Sequence, residues 1–259
     1  MKHLAIGPGG LGYFAYLGAV NKLWDEGELK DLESISGASA GALVACMIAF
    51  NNFDFKKIIR DSLKVPLSGL KPNIKTLLGS YGLIPTSQLK SMIVGTIDDI
   101  TFEELYKRFP IKIYLSAYCV QLAKMHYFSV DTHPGMLVSD ALCMSVSVPF
   151  LFSSVKYGDW NYVDGGTTES SPCGHLVNKD SILIICLKFD SIFKINGFTD
   201  YLKKIFVGYL QMRKRYPWPT IRIELGNTDV MDFEMSEKSK LGLYITGYHI
   251  SYHKDPRVY

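Results

Sequence analysis

Ser39 is the residue whose surroundings most favour nucleophilic chemistry. It lies at the centre of Gly37-Ala38-Ser39-Ala40-Gly41, which matches the pattern G-x-S-x-G. In this pattern the serine stands on a sharp strand-to-helix turn, where the crowded backbone leaves room only for glycine at Gly37 and Gly41. The helix that follows directs its positive N-terminal end towards the reacting centre, which favours developing negative charge. An apolar run precedes this turn and an Ala-rich run follows it, as the pattern requires.

A glycine-rich turn near the N-terminus offers donors for an oxyanion. The segment reads Gly7-Pro8-Gly9-Gly10-Leu11-Gly12. Acyl transfer needs backbone N–H groups aimed at the carbonyl oxygen, and Gly9 and Gly10 can approach a substrate closely because they carry no side chain. The segment lacks the G-x-G-x-x-G spacing and no Gly-Lys-Ser/Thr follows, so nucleotide binding is the less favoured interpretation.

A serine hydroxyl also needs a proton acceptor, and the sequence offers two kinds. Asp164 opens Asp164-Gly165-Gly166 after a short strand, although such a sequence by itself is more often an ordinary turn. The other kind is a histidine of a Ser–His–Asp triad. The histidines are His3, His126, His133, His175, His249 and His253. None has a recognisable catalytic context, and the serine follows only one earlier strand, whereas α/β-hydrolases usually place several before it.

Composition narrows the class of protein. A chain of 259 residues with 47% hydrophobic residues can bury the core of one large α/β domain. The five cysteines are scattered without a CxxC pair, which argues against a disulfide framework or a zinc site and for a reducing compartment. A net charge of +3 does not indicate nucleic-acid binding. No signal peptide or membrane-spanning run is recognised, so we expect a cytoplasmic protein able to lie at membrane surfaces.

The elements that must position these residues follow from the apolar pattern. Buried strands at 2–6 and 32–36 alternate with helices at 13–26 and 42–50, a βαβα opening that implies a parallel sheet. Further strands are predicted at 112–118, 124–129, 161–163, 181–187 and 220–225, and further helices at 54–63, 86–94, 137–145 and 198–215. Thr86 is a predicted N-cap, and Thr101 with Glu104 predicts a capping box before a short helix.

Four ordered blocks resemble the patatin-like phospholipase family. Their order and spacing agree with the family from residue 2 to about residue 190. The blocks are Pro8-Gly9-Gly10-Leu11-Gly12 in place of a GGGxR/K loop; 37–43, close to G-x-S-x-G-A-L; 145–152, similar to A-S-x-A-x-P-x-x-F; and Asp164-Gly165-Gly166 with Pro172, similar to D-G-G-x-x-x-N-x-P.

The resemblance implies a three-layer α/β/α fold with a mostly parallel central sheet. It implies one domain over 1–259, with a motif-bearing core at about 1–190 and a strand and helix extension at 191–259. It further implies a lipid acyl hydrolase of the phospholipase A or lysophospholipase kind, acting on a lipid or membrane surface without metal or cofactor. In that scheme Ser39 is the nucleophile of an acyl-enzyme, Asp164 is the base, and Gly9 and Gly10 hold the oxyanion. The oligomeric state is left open.

Three departures from the family pattern keep an alternative open. Pro8 replaces the first loop glycine, Gly12 replaces the usual Arg or Lys, and Ser170 replaces the usual Asn. Proline contributes no N–H, and the missing cation can weaken an oxyanion hole. The alternative is a catalytically weak or inactive lipid- or partner-binding protein on the same fold. A triad esterase using His249 or His253 is a further alternative.

Two segments bear on substrate access. Residues 65–85 are rich in proline and glycine and predict an irregular lid over a cleft. Phe150, Leu151 and Phe152 are expected either to line an acyl pocket or to pack in the core, with the two possibilities equal. The cationic residues of 198–215 fit a solvated helix face better than a head-group site. They are Lys203, Lys204, Arg213, Lys214 and Arg215.

Overall fold

The computed structural model describes residues 1–65, 69–188 and 217–251, together with the single residues 195, 197, 201 and 205. The strands in these ranges are β1 (His3–Ile6), β2 (Ser34–Ala38), β3 (Gly82–Ile84), β4 (Lys112–Cys119), β5 (Lys124–Phe128), β6 (Phe150–Phe152), β7 (Val155–Tyr157), β8 (Trp160–Asp164), β9 (Ile182–Lys188) and β10 (Thr220–Glu224). The helices are α1 (Tyr13–Asp25), α2 (Ala40–Asn51), α3 (Phe55–Leu63), α4 (Ile74–Ser80), α5 (Thr86–Val94), α6 (Phe102–Arg108), α7 (Val138–Ser145) and α8 (Glu237–Tyr248). The predicted helix at 198–215 lies outside the described residues, apart from two isolated positions.

Eight strands form the central sheet in the order β10-β9-β1-β2-β4-β8-β7, with β5 also paired to β4. The pairs from β10 to β4 are parallel, whereas β5, β7 and β8 pair antiparallel. Two short strands, β3 and β6, form a separate parallel pair. The prediction of a mostly parallel sheet flanked by helices is therefore confirmed.

The two faces of the sheet are covered unequally in the described part of the chain. Along β1, Leu4 and Ile6 point into the main core, whereas Ala5 joins a small cluster on the other face. This alternation is the two-residue period of a strand. The small cluster also contains Cys173, Leu176, Ile182 and Ile184. The buried residues of α1, α2 and α7, which surround the candidate site, therefore belong to the main core.

Helix α8 packs closely against α1 through glycine. A side chain at Gly247 would overlap the carbonyl oxygen of Ala15, and one at Gly18 would overlap that of Tyr244. The hydroxyl of Tyr244 also accepts a 2.5 Å hydrogen bond from the side-chain amide of Asn21. These contacts explain why the two helices approach so tightly, and they fix the end of the described chain against its beginning.

Several local predictions can be compared with the structure. The capping box of α6 is confirmed, because Thr101 and Glu104 exchange both hydrogen bonds. The prediction of Thr86 as an N-cap is wrong: it is the first residue of α5, and its hydroxyl instead donates to the carbonyl of Ser153 at 3.2 Å. The segment predicted to be irregular contains α4 and β3. Helix α2 begins at Ala40, two residues earlier than predicted.

Candidate active site

Ser39 occupies the turn between β2 and α2. Its backbone has φ 56° and ψ −120°, a conformation that non-glycine residues rarely adopt and that strand-to-helix elbows impose. The residue is 7% exposed. A side chain at Gly37 would overlap the carbonyl oxygen of Gly41, and one at Gly41 would overlap that of Ile6. The two glycines therefore let the turn close against itself and against β1.

A buried serine network holds the backbone of this turn. The N–H of Ser39 donates to both the carbonyl oxygen and the hydroxyl of Ser145, at 3.1 and 3.3 Å. The Ser145 hydroxyl in turn donates to the carbonyl of Ser116 at 2.7 Å, and the Ser116 hydroxyl donates to the carbonyl of Gly37 at 3.3 Å. Ser116 and Ser145 are fully buried. Since buried hydrogen bonds are costly to lose, this network ties the elbow to β4 and α7.

Asp164 ends β8 and is fully buried. Its backbone N–H donates to the carbonyl of Ser147 at 2.9 Å, and its Oδ1 accepts from the N–H of Gly166 at 2.6 Å. A side chain at Gly165 would overlap the carbonyl oxygen of Ser116. The two glycines after Asp164 therefore serve close packing and a backbone donor to the carboxylate.

Strand β4 lies between Ser39 and Asp164. Ala38, just before the serine, pairs with Ser116, and Ala117 pairs with Asp164. Ser39 and Asp164 therefore lie at the same level on the two strands that flank β4, about two strand spacings (~10 Å) apart at the backbone. The residue between them, Ala117, is small and fully buried. The topology thus brings the two side chains to one edge of the sheet, with only a methyl group at the intervening position.

The glycine turn after β1 meets the same region. Pro8 packs on the DGG turn, because a Cβ at Gly166 would lie 2.7 Å from its Cβ. The carbonyl of Pro8 accepts a 3.0 Å hydrogen bond from the hydroxyl of Tyr16. The N–H groups of Gly9 and Gly10 donate to no described residue, whereas the next N–H, that of Leu11, donates to Val230. Of these two glycines, Gly9 is buried and Gly10 lines the cavity described below.

Gly12 occupies the position where the resemblance expects a cation. A side chain there would overlap Leu187 and lie 3.3 Å from Leu225. A longer side chain at Gly12 would therefore have to displace the side chain of Leu187. The structure brings no cation to this position from the same loop.

An apolar cavity of about 110 Å³ opens onto Ser39 and Gly10. It is lined by Gly10, Leu11, Tyr13, Ser39, Ala40, Leu43, Met47, Val65, Leu70, Leu89, Met92, Ile93, Thr96, Leu142, Val146, Val148, Phe152, Met231 and Phe233. A wider hollow of about 770 Å³ shares Val65, Leu70, Met92 and Thr96 with it. The enclosed space therefore continues outwards along α5 towards solvent.

Of the three residues expected near an acyl pocket, Phe152 lines this cavity and is buried, whereas Phe150 is exposed. Sequence reasoning did not identify Met231 and Phe233, which close the cavity from the C-terminal part of the chain. The hydrogen bond from Leu11 to Val230, at 2.7 Å, holds that segment against the glycine turn. No spacing in the sequence connects residues so far apart.

The described histidines do not contact this cavity. His3 bonds the hydroxyl of Ser34, and His126 bonds that of Tyr162. Burial lowers the pKa of His3, His126 and His133, and lowers that of His175 to about 4. His249 lies at the end of α8 against the ring of Tyr248. His253 lies outside the described residues.

Two kinds of feature are absent from the described residues. No group of three or more His, Cys, Asp or Glu side chains is arranged to hold a metal ion. Nor does any described helix have the length and apolar character needed to cross a bilayer. The five cysteines are all free thiols, and burial raises the pKa of Cys143 to about 12.

Several known proteins are similar to this chain. An uncharacterised protein, R571, of Acanthamoeba polyphaga mimivirus is 27% identical to this chain. The match spans 95% of this chain and 91% of the mimivirus protein. A probable lipid hydrolase, 463L, of Invertebrate iridescent virus 6 is 21% identical over 66% of the chain. Triacylglycerol lipase ptl3 of Schizosaccharomyces pombe is 28% identical over 58% of it. The matches span 61% of the iridescent virus protein and 33% of the yeast lipase.

A protein of known structure has a similar fold, and a family model covers the four sequence motifs. The crystal structure of VipD from Legionella pneumophila superposes with a TM-score of 0.62 over 95% of this chain and 65% of that one, at 16% identity. A protein-family model described as Patatin-like phospholipase matches residues 4–177, which is more than half of the chain. The chain therefore belongs to the patatin-like phospholipase family.

Proposed function

We propose that this protein is a lipid acyl hydrolase that uses Ser39 as nucleophile and Asp164 as base. The observation that carries the proposal is the apolar cavity, which ends at Ser39 and at Gly10. An almost wholly apolar space beside a strained serine fits the first carbons of a fatty acyl chain whose ester carbonyl rests at the serine. The names of two relatives, a probable lipid hydrolase and a triacylglycerol lipase, point to the same substrate class.

The proposed reaction proceeds through an acyl-enzyme. The hydroxyl oxygen of Ser39 attacks the ester carbonyl carbon while its proton passes to the carboxylate of Asp164. The negative charge on the carbonyl oxygen is stabilised by the N–H groups of Gly9 and Gly10 and by the N-terminus of α2. The intermediate then breaks its C–O bond, and the alcohol leaves with the proton from Asp164.

Deacylation reverses these roles with water. Asp164 takes a proton from a water molecule, and the resulting oxygen nucleophile attacks the acyl carbon of the Ser39 ester. The free fatty acid leaves, and Ser39 recovers its proton from Asp164. Every step uses groups of this chain and water. In substrate terms, the proposal is a carboxylic ester hydrolase of the phospholipase A or lysophospholipase kind.

The test combines turnover with covalent labelling. We expect Ser39→Ala and Asp164→Asn each to abolish release of p-nitrophenol from p-nitrophenyl acyl esters and of fatty acid from phospholipid vesicles. A fluorophosphonate probe should label the wild type and not Ser39→Ala. Ser34→Ala, at the other end of β2, and Asp159→Asn, in the loop before β8, are the matched controls and should keep both properties.

The outcomes separate the alternatives. Equal activity in the wild type and in Ser39→Ala or Asp164→Asn would reject the dyad. A correctly folded wild type whose Ser39 cannot be labelled would instead be a lipid- or partner-binding protein, the alternative that Gly12 raises. Loss of activity in His249→Ala with the fold intact would indicate a histidine base.

A further inference from the structure

Helix α4 presents apolar side chains to solvent. Ile74 is 71% exposed, Leu78 is 83% exposed and Tyr81, which follows the helix, is 65% exposed. Ile74 and Leu78 are four residues apart and so lie on one side of the helix, and Tyr81 follows at its C-terminal end. No residue of α4 is buried. The helix therefore has an apolar stripe, but this stripe does not contribute to the core.

A fourth apolar side chain extends this stripe. Phe150, at the start of β6, is 55% exposed, and it pairs in register with Gly82, the residue after Tyr81. The N–H of Ser154 also donates to the carbonyl of Ser80 at 3.2 Å, which holds the end of β6 against α4. We call the set of Ile74, Leu78, Tyr81 and Phe150 the docking surface.

The docking surface is continuous with the cavity at Ser39. Two residues beyond Phe150 on the same strand, Phe152 is buried and lines that cavity. Leu70, four residues before Ile74, lines it as well. A single short strand therefore has one end in the cavity and the other at the exposed surface.

The charge of this part of the chain has one sign. Between Asp61 and Asp98 the sequence contains four lysines and no acidic residue. Lys64 pairs with Asp61 at 3.9 Å, and Lys90 pairs with Asp140 at 2.5 Å. The other two, Lys71 and Lys75, are exposed and form no ion pair within the described ranges. They flank Ile74 in sequence, so two cations lie beside the docking surface.

We propose that the docking surface inserts into the interfacial region of a lipid bilayer that carries anionic head groups, with Lys71 and Lys75 contacting those head groups. Exposed apolar side chains beside lysines match the two attractions that hold a peripheral helix at such a surface. Exposed apolar residues that form a contiguous patch mark interaction sites in general. The adjoining apolar cavity favours lipid over protein as the partner. This proposal rests on the proposed function, since it delivers the substrate to Ser39.

The test measures binding without turnover. The Ser39→Ala protein is floated with vesicles of phosphatidylcholine alone and with vesicles that also contain phosphatidylserine. We expect tighter binding to the anionic vesicles, weakened by salt. Introducing Leu78→Ser and Phe150→Ser together into the Ser39→Ala protein should reduce its affinity for the vesicles roughly tenfold or more. Lys71→Ser and Lys75→Ser should each reduce it about five-fold on the anionic vesicles only.

The matched control is Leu241→Ser with Ile245→Ser, an exposed apolar pair at the same i, i+4 spacing on α8. It should leave vesicle binding unchanged. The rate of fluorophosphonate labelling at Ser39 should be the same in the wild type and in Leu78→Ser/Phe150→Ser, so this readout reports on the proposed function separately. Failure to bind either vesicle, self-association through the docking surface, or equal binding by Leu78→Ser/Phe150→Ser would each overturn the proposal.

Discussion

Helices α2 and α4 differ in almost every property that packing controls. Helix α2 buries nine of its twelve residues, whereas α4 buries none of its seven. Helix α2 begins directly after Ser39 and contacts β1, β2 and β4 of the central sheet. Helix α4 is attached at its start by the 2.6 Å hydrogen bond from the N–H of Asn73 to the carbonyl of Leu83, and at its end by the 3.2 Å hydrogen bond from the N–H of Ser154 to the carbonyl of Ser80.

The difference shows that the molecule positions Ser39 with a buried helix and presents apolar side chains to solvent on an exposed one. Since apolar burial supplies most of the stability of a helix in a protein, α2 is fixed by the interior and α4 is not. The geometry that chemistry needs is thus placed on the part of the chain with the most buried contacts. The apolar side chains of α4 can meet a partner because they are not needed to stabilise the core.

The largest contrast is expected from two glycines. Gly41→Ala should destabilise the protein by about 3 kcal/mol or more, because the new Cβ overlaps the backbone oxygen of Ile6, which cannot easily move. Gly79→Ala meets no atom within 4 Å and should stabilise the protein by about 0.5 kcal/mol or slightly more through helix propensity. Urea denaturation measures both changes. A similar change in free energy for the two variants would contradict the comparison.

Apolar truncation extends the comparison to side chains. Ile48→Ala in α2 removes a fully buried side chain and should lower the free energy of unfolding by about 3 kcal/mol. Leu78→Ala in α4 should change it by no more than about 0.5 kcal/mol, because that side chain is already in water. Thermal unfolding of both variants is the measurement. A large loss for Leu78→Ala would mean that α4 packs on the core.

The pH dependence of stability is expected to come from the buried region, through His175, and not from α4. Burial lowers the pKa of His175 from 6.5 to about 4, so between these values the unfolded chain binds more protons than the folded one. The contribution of His175 to the free energy of unfolding is therefore complete above about pH 6.5. It falls as the pH decreases towards 4, by up to about 3 kcal/mol. Denaturation at several pH values should show a shallower fall in His175→Phe. An unchanged slope in His175→Phe would reject this assignment.

The smallest predicted effect concerns Ser145, which positions the elbow. Ser145→Ala removes an acceptor of the Ser39 N–H and the donor to the Ser116 carbonyl. We expect kcat to fall roughly tenfold with KM nearly unchanged, because a small displacement of the nucleophile slows the chemical step. Ser139→Ala, which breaks a bond from the same helix to Asp99, is the control and should leave kcat unchanged. An equal fall in kcat for both variants would show that the effect is merely structural.

The opening of the fold could be predicted because its signals are local. Short apolar runs interrupted by glycine gave β1, α1, β2 and α2 to within two residues. The glycines at 37 and 41 could be interpreted through one steric argument, and the structure shows the overlaps that they avoid. The roles assigned to Ser39, Asp164, Gly9 and Gly10 remain predictions that the proposed experiments test.

The remainder depends on contacts between distant parts of the chain. Helix α8 contains Gly242 and Gly247, which lower helix propensity, and Gly247 is needed only because Ala15 lies against it. The cavity wall at Met231 and Phe233 is likewise set by tertiary packing. Helix α4 lies in a segment of prolines and glycines and has no apolar face turned inwards, so the usual pattern of a packed helix is missing there.

The hydrogen bond between Leu11 and Val230 has a consequence for how the protein is made. All four sequence motifs are synthesised before the ribosome reaches position 230, yet the segment at 230–233 supplies one wall of the cavity. A nascent chain that has emerged only through its DGG turn therefore contains Ser39 and Asp164 but lacks this wall of the cavity. The cavity beside Ser39 is thus complete only when the segment at 230–233 has folded back onto the glycine turn.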